Sequence, residues 1–205
     1  MTPRKSAAQV CSGLRLLGGA PAKRSLLTAT IVFVLAIAVI ATALPALAAQ
    51  GDSTVFDMVK SAGAASCLKA TARGRVTISD LGPVQNLHAE VFDLPANTEF
   101  TLFVITTPNA PFVPAWYQGD ITTNKNGRGV ADVTGIFSAE TFILNPGPAP
   151  VQTAHLGIWF ADPADAVKAG CAGNVTPFDG DHQAGIQVLN TSNFTDTNGP
   201  LRRIQ

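Results

Sequence analysis

Residues 87–105 read LHAEVFDLPANTEFTLFVI. Leu87, Ala89 and Val91 alternate with His88, Glu90 and Phe92. Side chains that switch faces at every residue mark a β-strand. Leu94-Pro95-Ala96-Asn97 then breaks the run with turn residues. After it, Phe100, Leu102 and Val104 alternate with Thr101, Phe103 and Ile105. That second strand is apolar on both faces, as expected of a central strand covered on both sides.

The same period continues in both directions. From Arg73 onward, Val76 and Ile78 alternate with Thr77 and Ser79. Leu81-Gly82-Pro83 and Pro108-Asn109-Ala110-Pro111 supply further turns. The stretch GDITTNKNGRGVADVTG, 119–135, reads as a hairpin around Asn124-Lys125-Asn126-Gly127. Asn-Gly provides the positive φ angles that tight hairpins need. A calcium loop fails there, because the turn carries no carboxylate. Additional strands are expected over 140–144, 152–160 and 185–190. The prolines of 145–150 make that segment a loop, since proline cannot donate to a ladder. Residues 163–169 form the expected helix, with Asp162 as cap, Pro163 in the first turn and Gly170 at the end. Together these elements describe an all-β chain. The expectation is an antiparallel immunoglobulin-like β-sandwich of seven or eight strands over 72–205, with one short helix near 163–169. Residues 49–71, with Val55, Met58 and Val59, read as an N-terminal arm or short helix.

The first 48 residues read as a secretory signal peptide. Arg4, Lys5, Arg15, Lys23 and Arg24 precede an uncharged apolar run, which ends in Pro45-Ala46-Leu47-Ala48. A basic leader, an apolar stretch and a small-x-small end are the marks of such a segment, with the cut after Ala48. The alternative is an uncleaved anchor, since about 20 apolar residues suffice to cross a bilayer. Positive-inside logic puts the domain outside the cytoplasm in either case.

Once the five leader charges are removed, nine Lys plus Arg remain against 14 Asp plus Glu, a net charge of about −5. A domain of this kind lacks the basic footprint of a nucleic-acid binder. Cys11 leaves with the leader, and Cys67 and Cys171 remain as an even pair in an exported chain. They are expected to form a disulfide.

Two stretches resemble known proteins. HAEVFDLPANTEFTLFVIT (88–106) followed by WYQGDITTNKNGRGVADV (116–133) resembles a pattern of exported bacterial β-sandwich domains. In it a Leu-Pro turn, a Thr-rich central strand and Gly119-x-Ile121-x-Thr123-x-x-x-Gly127-x-Gly129 follow one another. The tail GDHQAGIQVLNTSNF (180–194), with GPLRRI (199–204), is similar to a group of uncharacterised secreted bacterial proteins. The resemblance implies a fold and an export route, and it supplies no activity and no site.

Three places carry chemistry worth weighing. Asp179, Asp181 and His182 offer oxygen and nitrogen ligands that could begin a metal site. Asp-Gly-Asp is equally the composition of a turn, which is the reading favoured here. His155 and Trp159 flank Gly157 on one face of a strand and would leave a shallow notch where a sugar ring could stack. The competing reading is that Trp159 packs beneath the proline loop or the N-terminal arm. Trp116 and Tyr117, beside Pro111 and Pro114, form a second aromatic pair that could be presented to a ligand; the competing and favoured reading is that they pack, holding a loop onto the domain.

No nucleophile elbow or phosphate loop is present, and no cofactor is implied. The expected function is therefore that of a secreted, non-enzymatic β-sandwich protein, a binding or structural component of the cell envelope or extracellular matrix. Its partner would be a protein or glycan of the cell surface, and it would touch membrane only through an uncleaved N-terminal segment. The alternatives are a carbohydrate-binding module using the exposed aromatics and a secreted metal-dependent hydrolase. For the last, a stoichiometric ion in the purified chain that is lost on Asp181→Ala is the required observation; the turn reading expects no such ion.

Overall fold

The computed structural model describes residues 52–112, 114–139, 141–142, 149–179 and 182–204. The leader, most of the 140–144 strand, most of the 145–150 loop, and Asp181 lie outside the described residues. The domain is all-β and antiparallel, with one short α-helix.

Eight strands form one hydrogen-bonded order. Strands β1 (Ser53–Lys60), β2 (Arg73–Asp80) and β3 (Gln85–Phe92) make a meander, and β6 (Gly129–Gly135) pairs with β3 at its edge. Strand β4 (Glu99–Ile105) lies between β5 (Ala115–Thr122) and β9 (His155–Phe160), and β12 (Gln187–Asn190) pairs with β9 on its far side. The two groups of four meet where β1 touches β12. Only Val59↔Asn190 and Lys60↔Leu189 are in register there. The sheet curls from that seam until its two edge strands, β5 and β6, come side by side. Two small ribbons complete the described set. One joins β7 (Thr141–Phe142) to β8 (Val151–Gln152), and the other joins β10 (Thr176–Asp179) to β11 (His182–Ala184).

The alternation seen in the sequence explains the core. Leu87, Ala89 and Val91 of β3 point inward, and they meet Val76 and Ile78 of β2 in the same buried cluster. Phe100, Leu102 and Val104 of β4, with Leu156, Ile158 and Phe160 of β9, form the opposing wall. Phe100 and Phe160 stack with centroids 5.0 Å apart. Each such side chain contributes about 1.5–3 kcal/mol by leaving water.

Two expectations are corrected. Within 49–71, residues 53–60 are not a loose arm or helix but form β1, paired with β2 from Ser53↔Ser79 to Met58↔Gly74, and a single 3-10 turn, Ala62–Ala64, follows. Val55, Met58 and Val59 sit at helical spacing, yet Phe56 and Met58 are the residues buried, two apart. A partner strand with a matching apolar face decides the period here, overriding weak local preference. The second correction concerns 119–135, which is not a paired hairpin. Its turn forms as expected, with Gly127 N–H bonded to Asn124 O at 2.9 Å and Gly127 at φ +70°. A side chain at Gly127 would run into the Leu94 carbonyl. Beyond the turn, β5 joins β4 while β6 joins β3, so the connection crosses from one group of strands to the other.

Helix α1 (Pro163–Lys168) forms as the sequence indicates, with Asp162 Oδ1 accepting from Ala164 N–H at 2.7 Å. Cys171 follows it and is disulfide-bonded to Cys67, with Cα atoms 5.0 Å apart and a sequence separation of 104. The bond ties α1 to the segment after β1. Among the described residues, no helix is long and apolar enough to cross a membrane.

In the chain-entropy account, closing a loop of that length contributes about 4–5 kcal/mol. Cys67→Ser with Cys171→Ser is expected to lower the thermal midpoint by roughly 8–15 °C, measured by calorimetry. An unchanged midpoint would show that the cross-link does not hold the fold.

Candidate functional site

Strand β9 is buried on both faces along its whole length. Its inner side chains enter the main core. Trp159 points outward and is fully buried there, in a second cluster with Phe103, Ile105 and Ala184. Phe103 stands edge-on to Trp159 at 5.4 Å, and Phe112 does the same at 5.2 Å. Phe112 comes from the loop between β4 and β5, which therefore covers this face; most of the 145–150 loop lies outside the described residues. Phe103 also meets Tyr117 edge-on at 6.1 Å. The two aromatic pairs singled out in the sequence are thus linked through Phe103, from buried Trp159 to exposed Tyr117.

His155, at the start of β9, is fully buried as well. Its Nε2–H donates to the Asp196 carbonyl at 3.2 Å, and Nδ1 lies 2.9 Å from Thr191 Oγ1. A carbonyl can only accept, so Nε2 carries a proton. Burial pushes its pKa below the ordinary value, against the smaller opposing pull of Asp196. The residue fastens the chain after β12 to β9 and has no open face toward solvent.

Gly157 lies between His155 and Trp159. A side chain there would collide with the Trp159 ring and the Gln187 amide. The notch left by this glycine is occupied by the protein's own groups. Gln187 Oε1 accepts from Asn190 Nδ2 at 2.8 Å, and the same Nδ2 donates to the Pro108 carbonyl at 3.0 Å. This buried amide pair anchors the loop that carries Phe112.

Trp116 and Tyr117 lie on edge strand β5, opposite Val104 and Phe103. They are 58% and 43% exposed. The ladder slips between Leu102 and Phe103, where Gln118 has no register partner. The slip changes the facing of the strand between Tyr117 and Gly119. Tyr117 donates its hydroxyl to Asp120 Oδ2 at 3.0 Å.

The remaining sequence candidates are scattered. Asp179 and His182 are register partners in the β10–β11 ribbon. Their side chains, and Asp181, fall outside what the structure describes. Among the described residues no three His, Cys, Asp or Glu side chains are placed to hold a metal. His88 pairs with Asp132 at 2.8 Å on the exposed face of β3 and β6.

Sequence reasoning missed Phe112, Gln187 and Asn190 as a unit. The one available signal was the apolar outer face of β4, Phe103 and Ile105, which requires a cover.

His155 sets a pH dependence. Its pKa is lower folded than unfolded, so below about pH 6.5 the unfolded chain binds the extra proton first. Stability is full above that value and falls as the pH drops toward the folded pKa. Urea midpoints measured between about pH 8 and pH 5 should fall more steeply for the native chain than for His155→Gln. Equal slopes would remove His155 as the cause. No protein-family model matches this chain, and no curated protein matches it.

Proposed function

We propose that this is an exported bacterial β-sandwich protein without catalytic activity, which binds a protein or glycan of the cell surface or extracellular matrix. The observation that carries the reading is the exposed aromatic pair, Trp116 at 58% and Tyr117 at 43%, on an edge strand. Large aromatics supply contact area at little cost in side-chain entropy and dominate binding surfaces. Tyr117 is braced from behind by Phe103 and from the side by Asp120, so its ring is held in place before a partner arrives.

The sandwich description rests on the seam. The order β5-β4-β9-β12 and the order β1-β2-β3-β6 are joined through two register pairs, and their inner faces enclose the main core. This supports two packed layers of immunoglobulin-like kind. Export is supported by the basic, apolar and small-residue leader together with the Cys67–Cys171 bond.

A second reading is a carbohydrate-binding module. It is favoured by the same two rings, since aromatic faces stack on sugars.

The mature domain, beginning at Ala49, is to be screened on a glycan array and by pull-down from cell-envelope extract. Trp116→Ala is expected to weaken the binding found by at least about tenfold. Its stability should change by no more than about 0.5 kcal/mol, since the side chain is mostly exposed. Binding that is indifferent to Trp116→Ala and Tyr117→Ala would refute the aromatic edge. Purified secreted protein still carrying residues 1–48 would refute the cleaved leader.

A further inference from the structure

On the outer face of β9 and β12 there is a cleft of about 320 Å³. It lies among the turn 61–63, the loop 109–112 and the segment 174–176. We propose that this cleft is a subsite for one uncharged hydroxylated ring, a single sugar residue. The proposal deepens the binding reading above and rests on it for the class of ligand. It concerns a place separate from the Trp116 edge.

The walls define the chemistry. Asn109, Asn174 and Gln187 line it with amides, Ser61 and Thr176 with hydroxyls that donate to the Gln187 and Gly185 carbonyls and keep lone pairs to accept, and Phe112 adds an aromatic ring. No charged side chain lines the cleft among the described residues. An ion would lose its hydration there without gaining a counter-charge, so a neutral ligand is selected. Neutral amides and hydroxyls can both donate and accept, which is what a ring of hydroxyl groups needs. The volume is at the small end of ligand sites, enough for one ring rather than a chain.

Gln187 gives the site its polarity. The residue is 5% exposed. Its amide cannot turn over, because Asn190 holds it. Asn190 Oδ1 accepts from Ser192 N–H at 3.1 Å, so Nδ2 must be the group facing Gln187 Oε1. Gln187 Nε2 is then left as a buried donor with no acceptor among the described residues. Buried donors are nearly always satisfied, and a ligand oxygen is a suitable acceptor.

Phe112 is the aromatic wall. It is half-buried and sits at φ +62°, a backbone region that bulky residues rarely occupy. Such strain concentrates at ligand clamps. Its ring stands edge-on to Trp159. Its ring, with Gln187 on the same cleft, offers an aromatic surface to the apolar side of a sugar.

The test uses the full mature chain with Trp116→Phe. The protein has two tryptophans, so emission then reports Trp159 alone. Glucose, galactose, mannose and N-acetylglucosamine are titrated in turn, with glucuronate as the charged control. At least one neutral sugar should shift the emission saturably, and glucuronate should bind at least about tenfold more weakly. Ala62→Trp carries its own indole, so its binding is read by amide shifts in nuclear magnetic resonance. It fills the exposed mouth and should abolish the response. Asn174→Ala and Gln187→Leu should each weaken the response about tenfold. The exposed Asn174 variant keeps the test valid should the buried change unfold the chain. No saturable response to any of the four sugars, or a response unchanged in both Ala62→Trp and Asn174→Ala, overturns the proposal. Because Trp116 is already replaced, failure of the aromatic edge would leave this response intact.

Discussion

Double burial of β9 is the constraint on which the remaining structure depends. A strand in a two-layer protein ordinarily covers one face and wets the other. Here Leu156, Ile158 and Phe160 fill the main core, and Trp159 is equally buried on the opposite side. An indole of that size cannot stand in water on a flat strand without a cover. The loop bearing Phe112 and strand β11 with Ala184 supply it. The chain beyond β12 does the same for His155, through Thr191 and Asp196. These irregular pieces make an outer layer over β9.

That outer layer is held by polar contacts more than by area. Its buried residues include His155, Gln187, Asn190 and Thr191; His155, Asn190 and Thr191 bond through their side chains to segments far away in sequence, and the Gln187 carbonyl accepts from Ser61. Asn190 reaches Pro108, 82 residues away. Buried hydrogen bonds contribute modestly when made and cost heavily when broken. They therefore fix one arrangement of the loops, where apolar contact alone would permit several. The main core has the opposite character. It is almost wholly aliphatic and aromatic, and volume, not direction, governs its packing.

The sequence disclosed the parts of the fold that are local. The alternation in 87–105 and the cap at Asp162 depend on near neighbours, and both appear as read. The turn at Gly127 was equally legible, yet the partners of the strands it joins were not. Asn-Gly dictates a reversal, while the choice of β4 and β3 as neighbours depends on distant apolar faces. Strand β1 was obscured because Val55, Met58 and Val59 imitate a helical stripe over so short a span. The β10–β11 ribbon was missed for a related reason. Its residues 176–184 carry few alternating apolar positions, and the ribbon is placed by the cleft and core it borders. The contact of Phe112 with Trp159 spans 47 positions of chain, and no local pattern encodes it.

The exposed edge follows from the same geometry. Because the 124–127 turn sends β5 and β6 to different groups of strands, β5 ends with one ladder partner, β4. Edge strands invite uncontrolled pairing, and proteins blunt them with bulges, charges or short length. The slip at Gln118 and the carboxylate of Asp120 do so here. Trp116 and Tyr117 run against that logic, since they add apolar surface where pairing is a hazard. Tyr117 is held by Phe103, which packs on Trp159, which in turn depends on the cover described above. The rigidity of the exposed ring is thus inherited from the buried one. An exposed ring braced through the interior in this way is ordered before anything touches it.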